Sequence, residues 1–249
     1  MATIAVITGA SGGIGHALAL QLASTTDSHC VLVSRQTAKL TALQAHIPNS
    51  SVIEADVTTA EGAAFVWQQC LSTVGIPTLL AHCVGNTHIA ALHKTPLAAW
   101  EDVRRVNLDS SFYVLQQFTK CLTSNKMAGS AVFVSSVVTQ IGVANHEAIA
   151  AAKGGIDALV QSAAATYAPQ GIRINAVAPA LTETPLTATM LKHEAMRQGA
   201  EKQYPLVGIN SASEVADVMS WLLSSQAQRI TGQTIAVDGG FSRIRPLVR

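Results

Sequence analysis

The residues best suited to chemistry near the start of the chain form a glycine-rich turn. It reads Thr8-Gly9-Ala10-Ser11-Gly12-Gly13-Ile14-Gly15, follows an apolar run and opens a segment of helical period. Glycine tolerates positive φ and lets the backbone approach a ligand, while the N-terminus of a helix presents unpaired N–H groups to anions. Other tight turns also use glycine, but this placement between a first strand and a first helix is what a dinucleotide site requires. The turn therefore predicts a binding site for a pyrophosphate.

The residues that choose between the two nicotinamide dinucleotides follow the second apolar run, which ends at Val33-Ser34-Arg35. A carboxylate there would accept a hydrogen bond from the 2′-hydroxyl of NAD and would repel a 2′-phosphate. Here the acid is missing and an arginine follows, whose guanidinium suits phosphate. The alternative is a solvated surface arginine, and the glycine turn has no basic residue of its own. The sequence predicts NADP in preference to NAD.

Short apolar runs rich in β-branched residues alternate with longer segments of helical period along the whole chain. Nearly continuous apolar character suits strands that are buried on both faces of a parallel sheet. We predict strands at Ile4–Thr8, Cys30–Ser34, Ser51–Ala55, Thr78–His82, Ala131–Ser135, Arg173–Ala178 and Gln233–Val237. We predict helices at 13–25, 36–46, 59–74, 97–124, 146–168 and 211–225. This alternation indicates a single α/β domain over 1–249, a Rossmann-type doubly wound parallel sheet of about seven strands flanked by helices.

Two segments depart from this alternation. The predicted helix 146–168 is rich in alanine and glycine, so one of its faces can pack closely on a neighbouring helix or subunit. The segment 184–210 contains Pro185 and Pro205 and has no predicted strand. Long connections in compact domains are usually functional, so we expect 184–210 to act as a substrate lid.

Several further motifs carry a resemblance to the short-chain dehydrogenase/reductase family, and it covers nearly the whole chain. The glycine turn resembles that family's TGxxxGxG motif, and Asp56-Val57 resembles the pair that contacts adenine. Asn107 matches the family's helix asparagine, Ser136 its catalytic serine and Lys153 its catalytic lysine. The pattern is completed by Asn175-Ala-Val-Ala-Pro179, Thr184, Ile230-Thr-Gly-Gln233 and Val237-Asp-Gly-Gly240.

The resemblance implies an oxidoreductase that binds a nicotinamide dinucleotide. It implies that Ser136 and Lys153 are catalytic and that Asn107 holds an active-site water against the backbone. It also implies a small-molecule substrate and a homotetramer or a homodimer, with four subunits preferred. Together with the glycine turn and Arg35, it predicts cofactor contacts at Gly9, Ser11, Gly12, Gly13, Ile14, Gly15, Ser34, Arg35, Asp56, Val57, Cys83, Val84, Gly85, Lys153, Pro179, Thr182 and Thr184.

The chain departs from the family pattern at three places. The Asn-Asn-Ala-Gly motif reads His82-Cys83-Val84-Gly85, and the Pro-Gly pair reads Pro179-Ala180. The Tyr-x-x-x-Lys motif reads Ile149-Ala-Ala-Ala-Lys153, so the catalytic tyrosine is replaced by isoleucine. Ile149 lies thirteen residues after Ser136, which is the family's common spacing. Because carbonyl reduction needs a proton donor, another group must supply the proton or the chain does not catalyse this reaction.

His146 is our candidate for that proton donor. It precedes Lys153 by seven residues, nearly two helical turns, so the two residues share one face. The enoyl-thioester reductases of this superfamily resemble this arrangement, because their catalytic tyrosine lies seven residues before the lysine. Histidine titrates near neutrality and is a competent acid. The alternative is a histidine at the start of the helix, exposed to solvent or substrate, that transfers no proton.

Two functions fit these residues. The first is an NADP(H)-dependent oxidoreductase that acts on a carbonyl or activated enoyl small molecule. The alternative is a catalytically impaired, nucleotide-binding homologue that serves as a sensor or a non-catalytic subunit. Joint retention of Ser136, Asn107 and Lys153 favours the enzyme, whereas loss of the tyrosine favours the alternative.

Composition excludes several other classes. The chain has 249 residues with 16 Lys+Arg against 15 Asp+Glu, so no basic excess is present to hold nucleic acid. No apolar stretch approaches the roughly 18 residues that span a bilayer, so we expect no membrane segment. The four cysteines are far apart and no His, Asp or Glu cluster has ligand spacing, so we expect free thiols and no metal. The apolar N-terminus reads as a strand and not as a signal peptide, and we expect a cytoplasmic protein.

Overall fold

The computed structural model describes residues 3–245, which contain nine strands and nine α-helices. The strands are β1 Ile4–Thr8, β2 His29–Ser34, β3 Ser50–Glu54, β4 Leu79–His82, β5 Gly129–Val134, β6 Ile172–Pro179, β7 Thr182–Glu183, β8 Asn210–Ser211 and β9 Thr234–Val237. The helices are α1 Gly13–Thr25, α2 Thr37–Gln44, α3 Ala60–Thr73, α4 Leu97–Arg104, α5 Ser110–Asn125, α6 Glu147–Tyr167, α7 Ala188–Leu191, α8 Glu194–Glu201 and α9 Ala212–Leu223. The seven predicted strands are all present, with bounds within two residues of the prediction.

Seven parallel strands form one sheet in the order β3-β2-β1-β4-β5-β6-β9. Successive side chains point to opposite faces, so Ile4 and Val6 join one core cluster and Ala5 and Ile7 join the other. The first cluster packs against α3, α5 and α6, and the second packs against α1, α2 and α9. The predicted doubly wound α/β fold is therefore confirmed.

The strand order reverses between β1 and β4, because the chain moves outward from β1 to β3 and then returns to the other side. In open α/β sheets, a crevice forms at the carboxyl ends of the strands at such a switch point. The glycine turn follows β1 and the segment Cys83–Gly85 follows β4, so both lie at this crevice.

The helix that we predicted over 97–124 is present, but its middle is a π-helical turn that we did not predict. Residues Arg105–Asp109 form a π-helical turn between α4 and α5, with Asn107 at its centre. Two serine side chains donate hydrogen bonds to carbonyl groups of this turn. The Ser111 hydroxyl donates to the Asn107 carbonyl at 2.6 Å, and the Ser110 hydroxyl donates to the Val106 carbonyl at 2.7 Å. The apolar period continues through the turn, so periodicity alone cannot locate it.

The segment 184–210 also differs from its prediction as a connection without strands. It contains α7 and α8, and its last residue, Asn210, begins β8, which pairs in parallel with β7. Each of these strands has two residues, too few for a period-two pattern to appear in the sequence. The Arg197 guanidinium on α8 donates a hydrogen bond to the Glu183 carboxylate on β7, which fixes this helix against the small sheet.

Candidate functional site

The glycine turn packs tightly against the residues that follow β4. Gly9 has φ +74°, and a Cβ built on it would lie 2.8 Å from the carbonyl carbon and oxygen of Cys83. A Cβ on Gly15 would lie 2.4 Å from the Gly9 carbonyl oxygen. Both distances are shorter than real Cβ contacts allow, so a side chain at either position would push the turn apart. The predicted turn is therefore formed, and glycine is required in it.

The N-terminus of α1 is not capped by its N-cap residue. Gly12 occupies that position and has no side chain that could bond the first N–H groups of the helix. Thr184, the first residue of the segment 184–210, lies over this end, because a Cβ on Gly13 would lie 2.7 Å from the Thr184 Cγ2. Open N–H groups beneath a threonine suit a pyrophosphate.

Arg35 and Asp56 lie together beyond the ends of β2 and β3. The Arg35 side chain is 67% exposed, and its Nη1 lies 3.8 Å from the Asp56 carboxylate. Asp56 also accepts hydrogen bonds from the backbone N–H and hydroxyl of Thr58, at 3.0 and 2.8 Å. Partial burial opposes ionisation, but Thr58 and the charges of Arg35 and Arg105 hold the pKa of Asp56 below its usual value. The neighbouring Ser34 and Val57 are buried.

Lys153 is buried on α6, with 6% of its surface exposed. Its Nζ donates a hydrogen bond of 2.6 Å to the Val134 carbonyl at the end of β5. Burial lowers the pKa of Lys153 to about 8, although Cys83 and Asp157 act in the opposite direction. Burial raises the pKa of the Cys83 thiol to about 12, so Cys83 stays protonated beside the ammonium.

Asn107 and Lys153 converge on Gly85. A Cβ on Gly85 would lie 3.0 Å from the Asn107 Oδ1 and 3.5 Å from the Lys153 Nζ. Asn107 is fully buried, and its Oδ1 has no hydrogen-bond partner among residues 3–245. Buried polar atoms are nearly always paired with protein, water or ligand. An acceptor of this kind, near the same glycine as a lysine ammonium, is a place for a water molecule or for a group of a bound ligand.

Ser136 follows β5 and retains a hydroxyl that can donate. Its Oγ accepts a hydrogen bond of 3.4 Å from the Val138 N–H at the start of a 3-10 turn. In the part of the chain that the structure describes, no acceptor takes the hydroxyl proton of Ser136. This proton is available to an oxygen atom of a substrate.

Ile149 lies one helical turn before Lys153 on α6 and packs as part of an apolar cluster. It is 6% exposed and lies among Val103, Ala148 and Ala152, with Trp100, Leu108 and Val138 at the edge. A hydrocarbon side chain in such a cluster carries no exchangeable proton. Ile149 therefore supplies no acid to the site.

His146 is the N-cap of α6 and is half-buried. Its Nδ1 lies 2.7 Å from the Ala144 carbonyl oxygen. Because a carbonyl only accepts, the Nδ1 carries a proton and donates it. The Nε2 is left for another partner, as an acceptor in the neutral ring and as a donor in the imidazolium.

His82 connects two turns of the site through hydrogen bonds. The sequence predicts only that this residue is packed. Since the Ser110 hydroxyl donates to the Val106 carbonyl, the His82 Nε2–H donates to Ser110 at 2.9 Å, and its Nδ1 accepts from the Thr8 hydroxyl at 2.7 Å. Burial and the charge of Lys153 lower the pKa of His82 to about 3. The ring is therefore neutral and ties the glycine turn to the π-helical turn.

Three further predicted positions lie at or after the carboxyl end of β6. Pro179 ends β6, Thr182 begins β7, and the Thr184 hydroxyl bonds with that of Thr187. Within the described range, no three His, Cys, Asp or Glu side chains are grouped so that they could hold a metal ion. No helix between residues 3 and 245 is both long enough and apolar enough to cross a membrane.

Comparison with known proteins identifies the family. A family model described as Enoyl-(Acyl carrier protein) reductase matches residues 9–242. The chain is 31% identical over 244 residues to 3-oxoacyl-(acyl-carrier-protein) reductase FabG of Staphylococcus aureus (strain N315), covering 96% of this chain and 98% of that protein.

Two solved structures share the fold. A short-chain type dehydrogenase/reductase from Mycobacterium ulcerans has a TM-score of 0.91 and 24% identity, covering 96% of this chain and 90% of that one. ElxO with NADP bound has a TM-score of 0.90 and 23% identity, covering 97% of this chain and 99% of that one. Together with the family match and the FabG relative, they lead to one conclusion: the chain belongs to the short-chain dehydrogenase/reductase family of oxidoreductases.

Proposed function

We propose that the protein is an NADP(H)-dependent oxidoreductase that acts on a carbonyl or activated enoyl group of a small molecule. The observation that carries this proposal is the convergence of the Asn107 Oδ1 and the Lys153 Nζ on Gly85, beside the glycine turn. A protein that only binds a nucleotide has no need for an unpartnered acceptor beside a buried ammonium. This pair is suited to binding a hydroxyl group or a water molecule.

The residues of the crevice fit the dinucleotide. The turn Gly9–Gly15 and the open N-terminus of α1 suit the pyrophosphate, and Arg35 suits a 2′-phosphate. Cys83–Gly85 and Lys153 would face its nicotinamide half, and Thr182 and Thr184 would cover it. ElxO, which shares this fold, has been solved with NADP bound. When bound here, NADPH would supply the hydride for reduction.

Each side chain of the site has a distinct part in this reaction. The Ser136 hydroxyl donates a hydrogen bond to the substrate oxygen and orients it. Lys153 remains positively charged below pH about 8 and stabilises negative charge that develops nearby. The Asn107 Oδ1 accepts a hydrogen bond from a water molecule near Gly85 and the Lys153 Nζ.

His146 takes the role of the missing acid in this proposal. With Nδ1–H held by the Ala144 carbonyl, the imidazolium donates the proton of its Nε2 to the reduced substrate and becomes the neutral ring. An enolate formed by hydride addition to an enoyl group could instead take its proton from water. For such a substrate, the absence of a tyrosine acid lowers the rate of reduction less than it does for a ketone.

Oxidation of NADPH in the presence of ketones, quinones and enoyl thioesters tests the proposal. We expect turnover with at least one class, and a loss of about 10²-fold or more in Ser136→Ala. Ser162→Ala, a change on the exposed side of α6, is the matched control and should leave turnover unchanged.

The second candidate is a nucleotide-binding protein without hydride transfer, favoured by the apolar packing of Ile149. It predicts NADPH binding with no oxidation by any substrate class. NADPH binding without turnover across the whole panel would therefore replace the first proposal with the second.

We also propose that the protein acts in the cytoplasm. Its four cysteines are free, and Cys30, Cys70 and Cys121 are buried. Unpaired thiols suit a reducing compartment.

A further inference from the structure

The amide group of Asn107 is oriented by the groups around its nitrogen. The Asn107 Nδ2 donates to the Val103 carbonyl at 2.8 Å, to the Asn86 Oδ1 at 2.8 Å and to the Asn86 carbonyl at 3.2 Å. All three partners are acceptors in this arrangement, so the nitrogen must face them. The Oδ1 is thereby turned toward Gly85 and Lys153.

The orientation of Asn86 is set in turn by a carboxylate. The Asn86 Nδ2 donates a hydrogen bond of 2.6 Å to the Asp102 Oδ2. An ionised carboxylate can only accept, so Asn86 must turn its nitrogen to Asp102 and its Oδ1 to Asn107. One carboxylate on α4 therefore fixes the direction of two successive amides.

The Asp102 carboxylate is itself held by Arg105. The Arg105 Nη2 donates to the Asp102 Oδ1 at 2.5 Å, and its Nη1 donates to the Thr58 hydroxyl. The Thr58 hydroxyl donates to Asp56, the carboxylate beside Arg35. A continuous set of polar contacts thus runs from Asp56 to Asn107.

We propose that Asn86, oriented by Asp102, is a positioning residue that presents the Asn107 Oδ1 as an acceptor in the active site. The proposal rests on the proposed function for its kinetic consequence. It assigns a role to Asn86, Asp102 and Arg105, which carry no signal of their own in the sequence. Asn86 does not contact the reacting groups but determines which atom of Asn107 faces them.

Exchanging the two side chains tests this polarity. In Asn86→Asp, the carboxylates at 86 and 102 repel each other, which displaces residue 86 from the Asn107 Nδ2. In Asp102→Asn, the new amide uses its oxygen for Arg105 and turns its nitrogen toward the nitrogen of Asn86. The double variant restores complementarity, because the new amide at 102 donates to the new carboxylate at 86, which still accepts from the Asn107 Nδ2.

We expect each single variant to lower kcat by about 10- to 100-fold, with KM for NADPH nearly unchanged because the phosphate contacts are intact. The double variant should recover kcat to within about threefold of the original protein. Asp109→Asn is the matched control, because Asp109 lies in the π-helical turn that contains Asn107 but pairs with Arg104 at 3.6 Å. Single variants as active as the control, or a double variant no better than the singles, would overturn the proposal.

A second readout does not depend on turnover. The side-chain amide resonance of Asn107 in ¹⁵N spectra of the full chain should shift in both single variants and return in the double variant. If no substrate is reduced by any variant, the proposed function fails while this spectrum still decides the role of Asn86. An Asn107 resonance that is the same in all four proteins would show that Asn86 does not orient it.

Discussion

At the scale of single residues, the site combines groups that suit the proposed hydride transfer with an apolar residue, Ile149, one helical turn before Lys153. Ser136, Lys153 and Asn107 each form a hydrogen bond with a backbone group. Ile149 belongs to an apolar cluster and contributes no proton. The proposed reduction therefore depends on which other group supplies the proton.

Replacing His146 tests the proposed acid. His146→Phe should lower turnover by about 10²–10⁴-fold, the usual effect of losing a general acid or base. The dissociation constant of NADPH should barely change, because the imidazole would face substrate and not the phosphates. His46→Phe, a change at an exposed histidine after α2, is the control. Unchanged turnover in His146→Phe would mean that water supplies the proton.

Restoring the phenol is the complementary change. In Ile149→Tyr the new hydroxyl lies one helical turn from Lys153, whose ammonium would lower the pKa of the phenol. We expect reduction of simple ketones to increase relative to the original protein. Steady-state rates with NADPH measure the change, with Ile149→Phe as the control for side-chain size. Equal rates in Ile149→Tyr and Ile149→Phe would contradict the expected gain from the phenol.

Arg35 tests the choice of cofactor. A charge-assisted contact to a 2′-phosphate contributes about 1.5–3 kcal/mol, so Arg35→Ala should weaken NADPH binding by roughly 10- to 150-fold and leave NADH binding nearly unchanged. Asp56 shares the guanidinium, and the pair is exposed, so added salt should reduce the preference. Titration calorimetry measures both affinities, and Arg229→Ala is the control at a distant exposed arginine. NADH binding as tightly as NADPH in the original protein would contradict the NADP assignment.

At the scale of elements, His82 joins β1, β4 and α5 at the switch point of the sheet. Its ring forms hydrogen bonds with Thr8, at the start of the glycine turn, and with Ser110, just after the π-helical turn. The centre of the ring lies 5.7 Å from the centre of the Phe133 ring. The two turns that frame the crevice are therefore connected through one neutral imidazole.

The pH dependence of folding tests this connection. The pKa of His82 is about 3 in the folded chain, whereas histidine in an unfolded chain titrates near 6.5. Between these values the unfolded chain binds a proton that the folded chain does not, so the free energy of unfolding falls as pH decreases below about 6.5. The titration of His82 lowers the free energy of unfolding by about 2 kcal/mol between pH 6.5 and pH 5.

His82→Asn removes this titration. We expect a loss of about 1–2 kcal/mol at pH 7, because hydrogen bonds and ring contacts are weakened, and a shallower decline from pH 7 to 5 than in the original protein. Urea denaturation at both pH values measures the difference, and His46→Asn should retain the original slope. Parallel declines in the original protein and His82→Asn would show that the buried ring is not responsible.

Elements were more predictable than the contacts between them. Strands such as Ile4–Thr8 are buried on both faces and produce continuous apolar runs, so their positions along the chain could be predicted. The π-helical turn at Asn107 and the helices α7 and α8 could not, because the apolar period passes through the first and the others are short and exposed. The link from Asp102 through Asn86 to Asn107 spans separate segments, and a single sequence carries no signal for it.

At the scale of the whole molecule, exposed apolar side chains on α4 and α5 favour assembly. Leu97 is 71% exposed and Phe112 is 47% exposed. We propose that α4 and α5, with the small-residue face of α6, pack against a second subunit and that four subunits assemble. Light scattering should give about four times the 26.0 kDa chain mass.

Phe112→Asp should shift this assembly toward smaller species, because a carboxylate would be buried at the interface. Leu20→Asp, at an exposed leucine on α1, should leave the mass unchanged. A monomer of the original protein at micromolar concentration would contradict the proposed assembly.

We propose that this crevice transfers a hydride from NADPH to a substrate carbon. Incubation with NADPH that carries deuterium at both C4 positions of the nicotinamide, followed by mass spectrometry of each reduced ketone or enoyl thioester, measures that transfer directly. We predict a product that carries one deuterium from the cofactor and that is strongly reduced in amount with Ser136→Ala. Binding of NADPH with no deuterated product from any ketone or enoyl thioester would contradict this transfer.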